Sequence, residues 1–320
     1  MRPLRLRTGF HTLDRWLYNA GVSARPPRAD VVVGVDLDGF LWARRRGTSP
    51  NRAAQPYVVA LKGIIADELR NERGLVRALL SVQARWERVN AQRADRVVVP
   101  SRYSASVAHT LYDVPMTKVA VVPEPIDLAE WRRRFALVER PARRPPTVLA
   151  VARMYPRKRL DDLLRAAARL RARIPEVRVR IVGAGPEAQA LRALHGELDL
   201  GETVTFLGEI TRQALAVEYV GADCFCLPSV QEGFGIAYAE AMAAGLPVVA
   251  CRAAAVPEIV EDGRTGLLVG PRNPEELAMA IENLLRDEGL RTTLGAAGAR
   301  RVEAFDLAPV AARFVEACGA

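Results

Sequence analysis

The sequence predicts an α/β protein of two Rossmann-like, doubly wound domains, and three observations carry that prediction. The chain has 320 residues, too many for one ordinary core and suited to two domains of roughly 100–200 residues each. Short β-branched runs alternate with helical patterns in both halves, the rhythm of βαβ units on a parallel sheet. Between the halves lies RRRFALVERPARRPP (132–146), basic and proline-rich, a composition that suits an interdomain linker. The expected first domain is residues 1–140 and the expected second is residues 141–304.

The elements follow in order. The N-terminus, MRPLRLRTGF, is basic but leads into no apolar segment, so no secretory leader is expected. No uncharged apolar run reaches the roughly 18 residues of a membrane span. Four runs of the first half read as strands: DVVVGV (30–35), YVVAL (57–61), RVVVP (96–100) and KVAVVP (118–123). Between the second and third, LRNERGLVRALLSVQARWERVNAQRA reads as a long amphipathic helix. Nothing near Met1 resembles an opening strand with a glycine-rich turn, so an abbreviated first domain is expected. The second half supplies six strands: TVLAVA (147–152), VRVRIV (177–182), TVTFL (203–207), DCFCLP (223–228), LPVVA (246–250) and TGLLV (265–269). LDDLLRAAARLRAR, closed by Pro175, is the helix between the first two. Six such strands complete a doubly wound domain.

Half of the residues are apolar, 26% are charged, and the net charge is +9. Such a charge fits nucleic acid, an anionic membrane surface or phosphorylated substrates. The arginines are scattered and no aromatic-interleaved basic stripe appears, so nucleic acid is not expected. Cys224, Cys226, Cys251 and Cys318 lack metal-ligand spacing and read as buried free thiols. With no leader expected, they point to the cytoplasm.

Three stretches carry candidate chemistry. After TVLAVA come Arg153 and Lys158, two cations just past a strand's C-terminal end, where open α/β sheets bind ligands. They could neutralise charge on a departing diphosphate; a solvated charge run is the plain alternative. VRVRIV ends in Gly183-Ala184-Gly185-Pro186, with Pro186 expected as the first helical residue. That turn either lets a phosphate approach the backbone or is simply tight. After DCFCLPS, Glu232-Gly233-Phe234-Gly235-Ile236 opens a helix that reaches Glu240 and stops at Gly245 and Pro247. Glycines at a helix N-terminus favour an anion. Eight positions are about 800° of helical rotation, so the two carboxylates would grip different parts of one extended ligand. The plain alternative is a capped amphipathic helix with a solvated Glu240.

Glu232 and Glu240, spaced around Gly-Phe-Gly and followed by AMAAGLPVV, resemble the signature of the retaining family 4 glycosyltransferases of the group 1 type. VARMYPRKRLDDLLRAA, VRIVGAGPE, VTFLGEI, ADCFCLPS, VPEIVEDGRTGLLV and LLRDEGLRTTLGAAGARRVEAF extend the resemblance over residues 147–305. It implies the GT-B architecture, two Rossmann-like domains facing a cleft, with the C-terminal helix (305–320) packing back on the first. It further implies that Arg153 and Lys158 hold the donor diphosphate, that Glu240 bonds the ribose, and that Glu232 with the Gly233–Gly235 backbone faces the sugar. Phe234, Ile236, Gly183 and Gly185 complete the implied donor site, with no metal and no cofactor beyond the nucleotide-sugar substrate. The acceptor would be a hydroxyl of a saccharide, glycolipid or small molecule. Retention without an enzymic nucleophile implies a front-face reaction, in which the protein positions both substrates and stabilises charge.

The chain departs from the family in places. Where relatives place a histidine after the YVVAL strand, this chain has Lys62-Gly63, so Lys62 is the candidate at the transfer site. Asp67, Glu68 and Glu72 read as acceptor contacts or as a solvated helix start. Ser101 holds the family's serine position after RVVVP, and His11, His109 and His195 read as incidental. The expected function is glycosyl transfer in glycoconjugate, polysaccharide or natural-product synthesis. The alternative is a non-catalytic GT-B protein that binds nucleotide sugar or a partner subunit. A cytoplasmic place, with peripheral contact at the inner face of the membrane, accompanies the first.

Overall fold

The computed structural model describes residue 17 and residues 29–46, 55–140 and 144–319. The N-terminal stretch read for a leader and an opening strand, and His11 within it, lie outside the described residues. By compactness the chain forms two units, one up to Pro123 together with Ala311–Ala320, the other Glu124–Val310.

In the first unit β1 (Val32–Val35), β2 (Tyr57–Ala60), β3 (Arg96–Val99) and β4 (Val119–Val121) form one parallel sheet in the order β1-β2-β3-β4. All four expected strands are present, trimmed at their ends. β2 and the Val97–Val99 part of β3 are buried throughout, as parallel strands covered on both faces must be. The helix Gly74–Arg93 returns the chain from β2 to β3. Its fully buried Asn90 accepts a hydrogen bond from the Tyr57 hydroxyl at 2.8 Å, and Trp42 packs on the Tyr57 ring. Ser101 caps the next helix, Arg102–Tyr112, by accepting the Ser104 N–H at 3.0 Å.

In the second unit all six expected strands pair in parallel: β5 (Thr147–Val151), β6 (Arg178–Val182), β7 (Val204–Gly208), β8 (Cys224–Leu227), β9 (Val248–Cys251) and β10 (Gly266–Val269). Their order is β10-β9-β8-β5-β6-β7. The chain therefore starts in the middle at β5, runs outward to β7, then returns beside β5 with β8 and proceeds the other way. Val148 pairs with Cys224 and Leu149 with Phe225 at this reversal. Open α/β sheets take their ligands at such a reversal, beyond the C-terminal ends of β5 and β8. The helix Leu160–Arg173 buries Leu160, Leu163, Leu164, Ala167 and Leu170, one stripe at helical spacing. All four cysteines are free and buried.

Two local expectations are corrected. Pro186 is not the first helical residue: the helix is Ala188–Glu197, and Pro186 sits in the turn before it. The Glu187 N–H is given to the Met154 carbonyl at 3.0 Å, so the turn is spent on the neighbouring loop before the helix begins. The stretch 132–146 does not start as linker, because residues up to Ala136 finish the helix Leu128–Ala136. Asp127 caps it by accepting the Glu130 N–H at 2.8 Å, and Trp131 and Phe135, four apart, stack at 5.3 Å and pack on Tyr219. No helix among the described residues is long and apolar enough to cross a membrane.

Candidate functional site

The strand reversal brings two of the sequence candidates together. Past β5 a short 3₁₀ turn, Pro156–Lys158, carries Lys158; past β8 the loop carries Glu232. Lys158 Nζ donates to Glu232 Oε1 at 2.5 Å, with side chains only 13% and 9% exposed. Such a pair is not a solvated surface contact, and losing either partner would strand the other charge. The two loops are knitted by backbone as well. The Val230 N–H donates to the Arg157 carbonyl at 2.9 Å. The fully buried Ser229 hydroxyl lies 3.1 Å from both the Arg157 and the Gln231 carbonyls. Arg153 is placed differently, exposed, with its guanidinium 5.5 Å from the centre of the Tyr155 ring; Arg157 lies 4.9 Å from the same ring.

Glycines shape the surrounding turns. Gly235, at φ +102°, precedes the helix Ile236–Ala243, and a Cβ there would meet the Tyr238 ring at 2.5 Å. Gly183, at φ +121°, passes so close to the Ala152 carbonyl that a Cβ would lie 2.0 Å from its oxygen. Gly185 is similarly pressed on Met154, whose N–H donates to the Ala184 carbonyl at 2.9 Å. This glycine turn is thus a buttress for the loop that bears Arg153 and Lys158. Phe234 is buried with its ring edge-on to Phe305 at 5.1 Å, so only its backbone is free to meet a ligand, while Ile236 is 46% exposed. Gly233 lies between Glu232 and Phe234 on the same loop.

Glu240 lies one turn inside that helix and is partly buried, not solvated. Its Oε2 accepts the Tyr219 hydroxyl at 3.0 Å. Burial pushes its carboxyl up to about 7, against the opposing pull of the Tyr219 hydrogen bond and the Arg212 charge. Tyr219 is itself fully buried, its ring edge-on to Trp131 at 5.6 Å. Glu232 and Glu240 therefore have separate partners.

The remaining candidates belong to the first unit. Lys62 follows β2, exposed, and its N–H donates to Asp36 Oδ1 at 2.8 Å. Asp67 is neither a solvated helix start nor open to an acceptor: it is 2% exposed, accepts the Tyr103 hydroxyl at 2.8 Å and pairs with Arg70 at 3.2 Å. Beneath that turn Glu87 is fully buried, accepting the Ile65 N–H at 2.9 Å and a hydrogen bond from the Tyr112 hydroxyl. Burial pushes its carboxyl up to about 8. The His109 and His195 rings contact the Val114 and the Gly201 and Val204 carbonyls, as structural histidines do. Sequence reading missed Asp36, Glu87, Ser229 and Tyr219. Each acts on a residue 21 to 72 positions away, so no local pattern marks it.

Comparison with known proteins gives a consistent picture. Residues 134–301 match the family described as Glycosyl transferases group 1, and residues 2–130 match Glycosyltransferase Family 4. The chain is 34% identical to the GDP-mannose-dependent alpha-(1-6)-phosphatidylinositol monomannoside mannosyltransferase of Mycolicibacterium smegmatis, over 64% of this chain and 56% of that protein. It is 35% identical to the D-inositol 3-phosphate glycosyltransferase of Kribbella flavida, over 67% of this chain and 54% of that one. The chain thus spans about half the length of the curated relatives it matches. Among solved structures it resembles Anabaena HepE in complex with UDP, with a TM-score of 0.76 at 22% identity, covering 96% of this chain and 84% of that one. Sucrose-phosphate synthase from Thermosynechococcus elongatus gives 0.75 at 26%, covering 95% and 76%. The likeness shows an α/β fold of the GT-B class.

Proposed function

Because the chain belongs to the glycosyl transferases of group 1, with family 4 character in its first unit, we propose that it moves a sugar from a nucleotide-diphosphate sugar to an acceptor hydroxyl with retention of configuration and without a metal. One observation carries this reading: the Lys158–Glu232 pair lies at the β5/β8 reversal, where an α/β sheet takes its ligand. Lys158 and Arg153, both on the loop after β5, are the cation set for the diphosphate. Glu232 meets the sugar hydroxyls, and Glu240 accepts from the ribose while Tyr219 holds its other side. As the C1–O bond to the diphosphate breaks, the acceptor oxygen bonds to C1 from the same face. Its proton passes to a diphosphate oxygen. The chain's contribution is orientation and charge stabilisation, each within its ordinary range for transfer enzymes.

Lys62 is the proposed contact on the acceptor side. The acceptor class is a saccharide, glycolipid or small polyol, and the names of the mycobacterial and Kribbella relatives put phosphoinositides and inositol phosphate first in any screen. A cytoplasmic location with peripheral membrane contact belongs to the same reading.

The test is calorimetric titration of the full chain with GDP, UDP, ADP and their sugars, beside Glu240→Ala. Saturable binding of one base that weakens in the variant supports the donor site. Undiminished affinity in Glu240→Ala removes the ribose assignment, and binding of no nucleotide returns the non-catalytic reading.

A further inference from the structure

At the sheet end opposite Lys158 and Glu232, the second unit holds a cavity of about 780 Å³. Pro146, Asp223 and Pro247 line it, and these are the residues immediately before β5, β8 and β9. Those three strands are parallel neighbours, so their N-terminal ends lie together. The volume is that of an ordinary small-molecule site, and Leu246 and Leu285 add apolar wall.

Arg140, Arg144 and Arg291 bring three guanidinium groups to this cavity. Arg144 forms a two-pronged pair with Asp223, Nη1 to Oδ2 at 2.8 Å and Nη2 to Oδ1 at 2.5 Å. Arg140 Nη2 donates to Asp223 Oδ1 at 3.1 Å and to the Ala222 carbonyl at 2.9 Å. The Thr147 N–H donates to Asp223 Oδ2 at 2.8 Å. Asp223 is thereby filled with donors, and it neutralises only one positive charge. Arg291 comes from another element, the first turn of the helix Glu288–Arg301. Its Nη1 donates to the Leu284 and Leu285 carbonyls at 2.6 Å and 2.8 Å, which hold it in place but carry no counter-charge. Glu288, the other carboxylate on the wall, is exposed. Holding the start of β5 to the start of β8 needs the Arg144–Asp223 pair alone. The charge of Arg140 and Arg291 goes beyond that clamp. A guanidinium has five N–H donors, so each of the three keeps donors for a ligand.

We propose that this cavity is a second ligand site of the unit, taking the phosphate of a small phosphorylated polyol or sugar between Arg140, Arg144 and Arg291. The planar fork of a guanidinium matches phosphate oxygens, and charge-assisted bonds of this kind are the strong ones. The rest of the cavity selects for an organic phosphate over the bare ion. Thr292 lies one turn along from Glu288, and its hydroxyl donates to the Glu288 carbonyl at 2.9 Å, so its lone pairs and the Glu288 carboxylate are acceptors for ligand hydroxyls. The site is independent of the donor site, which lies past the other ends of β5 and β8.

Calorimetric titration of the full chain with ribose 5-phosphate, inorganic phosphate and ribose tests this without any transfer assay. The expected result is saturable binding of ribose 5-phosphate, at least about tenfold tighter than inorganic phosphate, with none of ribose. Arg291→Ala should weaken it by about tenfold or more, the loss of one hydrogen bond to a charged group. Arg140→Ala should do the same, and because Arg140 is exposed it is the variant that keeps its fold if Arg291→Ala does not. Circular dichroism of both variants checks this. Binding should persist with GDP, UDP or ADP in excess. No saturable binding of ribose 5-phosphate overturns the proposal, as does undiminished affinity in the folded variants. Equal affinity for inorganic phosphate also overturns it, since the cavity would then contribute nothing. Displacement by a nucleotide overturns it by placing the phosphate at the Lys158 end. A chain that binds no nucleotide can still pass this test, so its failure and that of the donor site are told apart.

Discussion

In the first unit the strands cross the sheet in chain order, β1 to β4; in the second the order doubles back between β5 and β8. The consequences differ. Doubling back sets two strand ends side by side, and residues 74 positions distant in sequence, Lys158 and Glu232, meet through their charged ends. The described strands of the first unit have no such reversal. There the polar residues after β1 and β2 meet through backbone, Asp36 accepting the Lys62 N–H. Among the described residues each unit also holds a buried carboxyl with a raised pKa. Glu87 is sealed in and braces the Ile65 turn, while Glu240 is only partly buried, on the helix that follows the Glu232 loop. A buried acid can therefore mark a brace or a binding group, and what separates them is access.

The largest expected effect tests the brace. The unfolded Glu87 carboxyl titrates near 4.5 and the folded one near 8, so between those values the native state binds more protons and stability falls as pH rises. Glu87→Gln removes that loss, on the order of 4 kcal/mol at pH 8 relative to wild type. Urea denaturation of both proteins from pH 5 to pH 8 measures it, and parallel pH profiles would break the distinction drawn above.

Next comes Lys158→Ala, expected to lower kcat by about 10²–10³ through loss of charge stabilisation. Lys62→Ala, on the sheet without a reversal, should cost less than about tenfold, and the reverse ranking would move the chemistry to the first unit. Glu240→Ala should weaken donor binding by roughly ten- to a hundredfold, the equivalent of about 1.4–2.8 kcal/mol, without unfolding the protein. Since the Glu240 carboxyl titrates near 7 and its ionised form is the better acceptor for ribose hydroxyls, wild-type donor affinity should rise from pH 6 to pH 8. Glu240→Gln should flatten that rise. The smallest effect belongs to Ser229→Ala, about 1 kcal/mol of stability from one hydrogen bond, with kcat falling more than KM changes. Rescue by Ser229→Thr would show that the hydroxyl holds the two loops in register.

The candidate site was only partly legible in the sequence. The Glu232–Glu240 stretch stood out because its glycines, helix start and stop signals are local, and local rules act on neighbours. Within the protein the two carboxylates have separate partners, Lys158 and Tyr219. Pro186 misled because a good first-turn residue was placed where Met154 already held the turn.

Sequence by itself determined the ten strands, the pairing of strands with crossover helices, the family, and the residues that could carry charge. Periodicity, capping and turn chemistry work within a few residues, so they survive without a fold. Only tertiary structure decided that Lys158 lies against Glu232 while Arg153 lies on Tyr155, that Asp67 is buried, and that Tyr219 grips Glu240. Those outcomes depend on which strand ends become neighbours and which side chains lose water, and both are properties of the packed sheet as a whole.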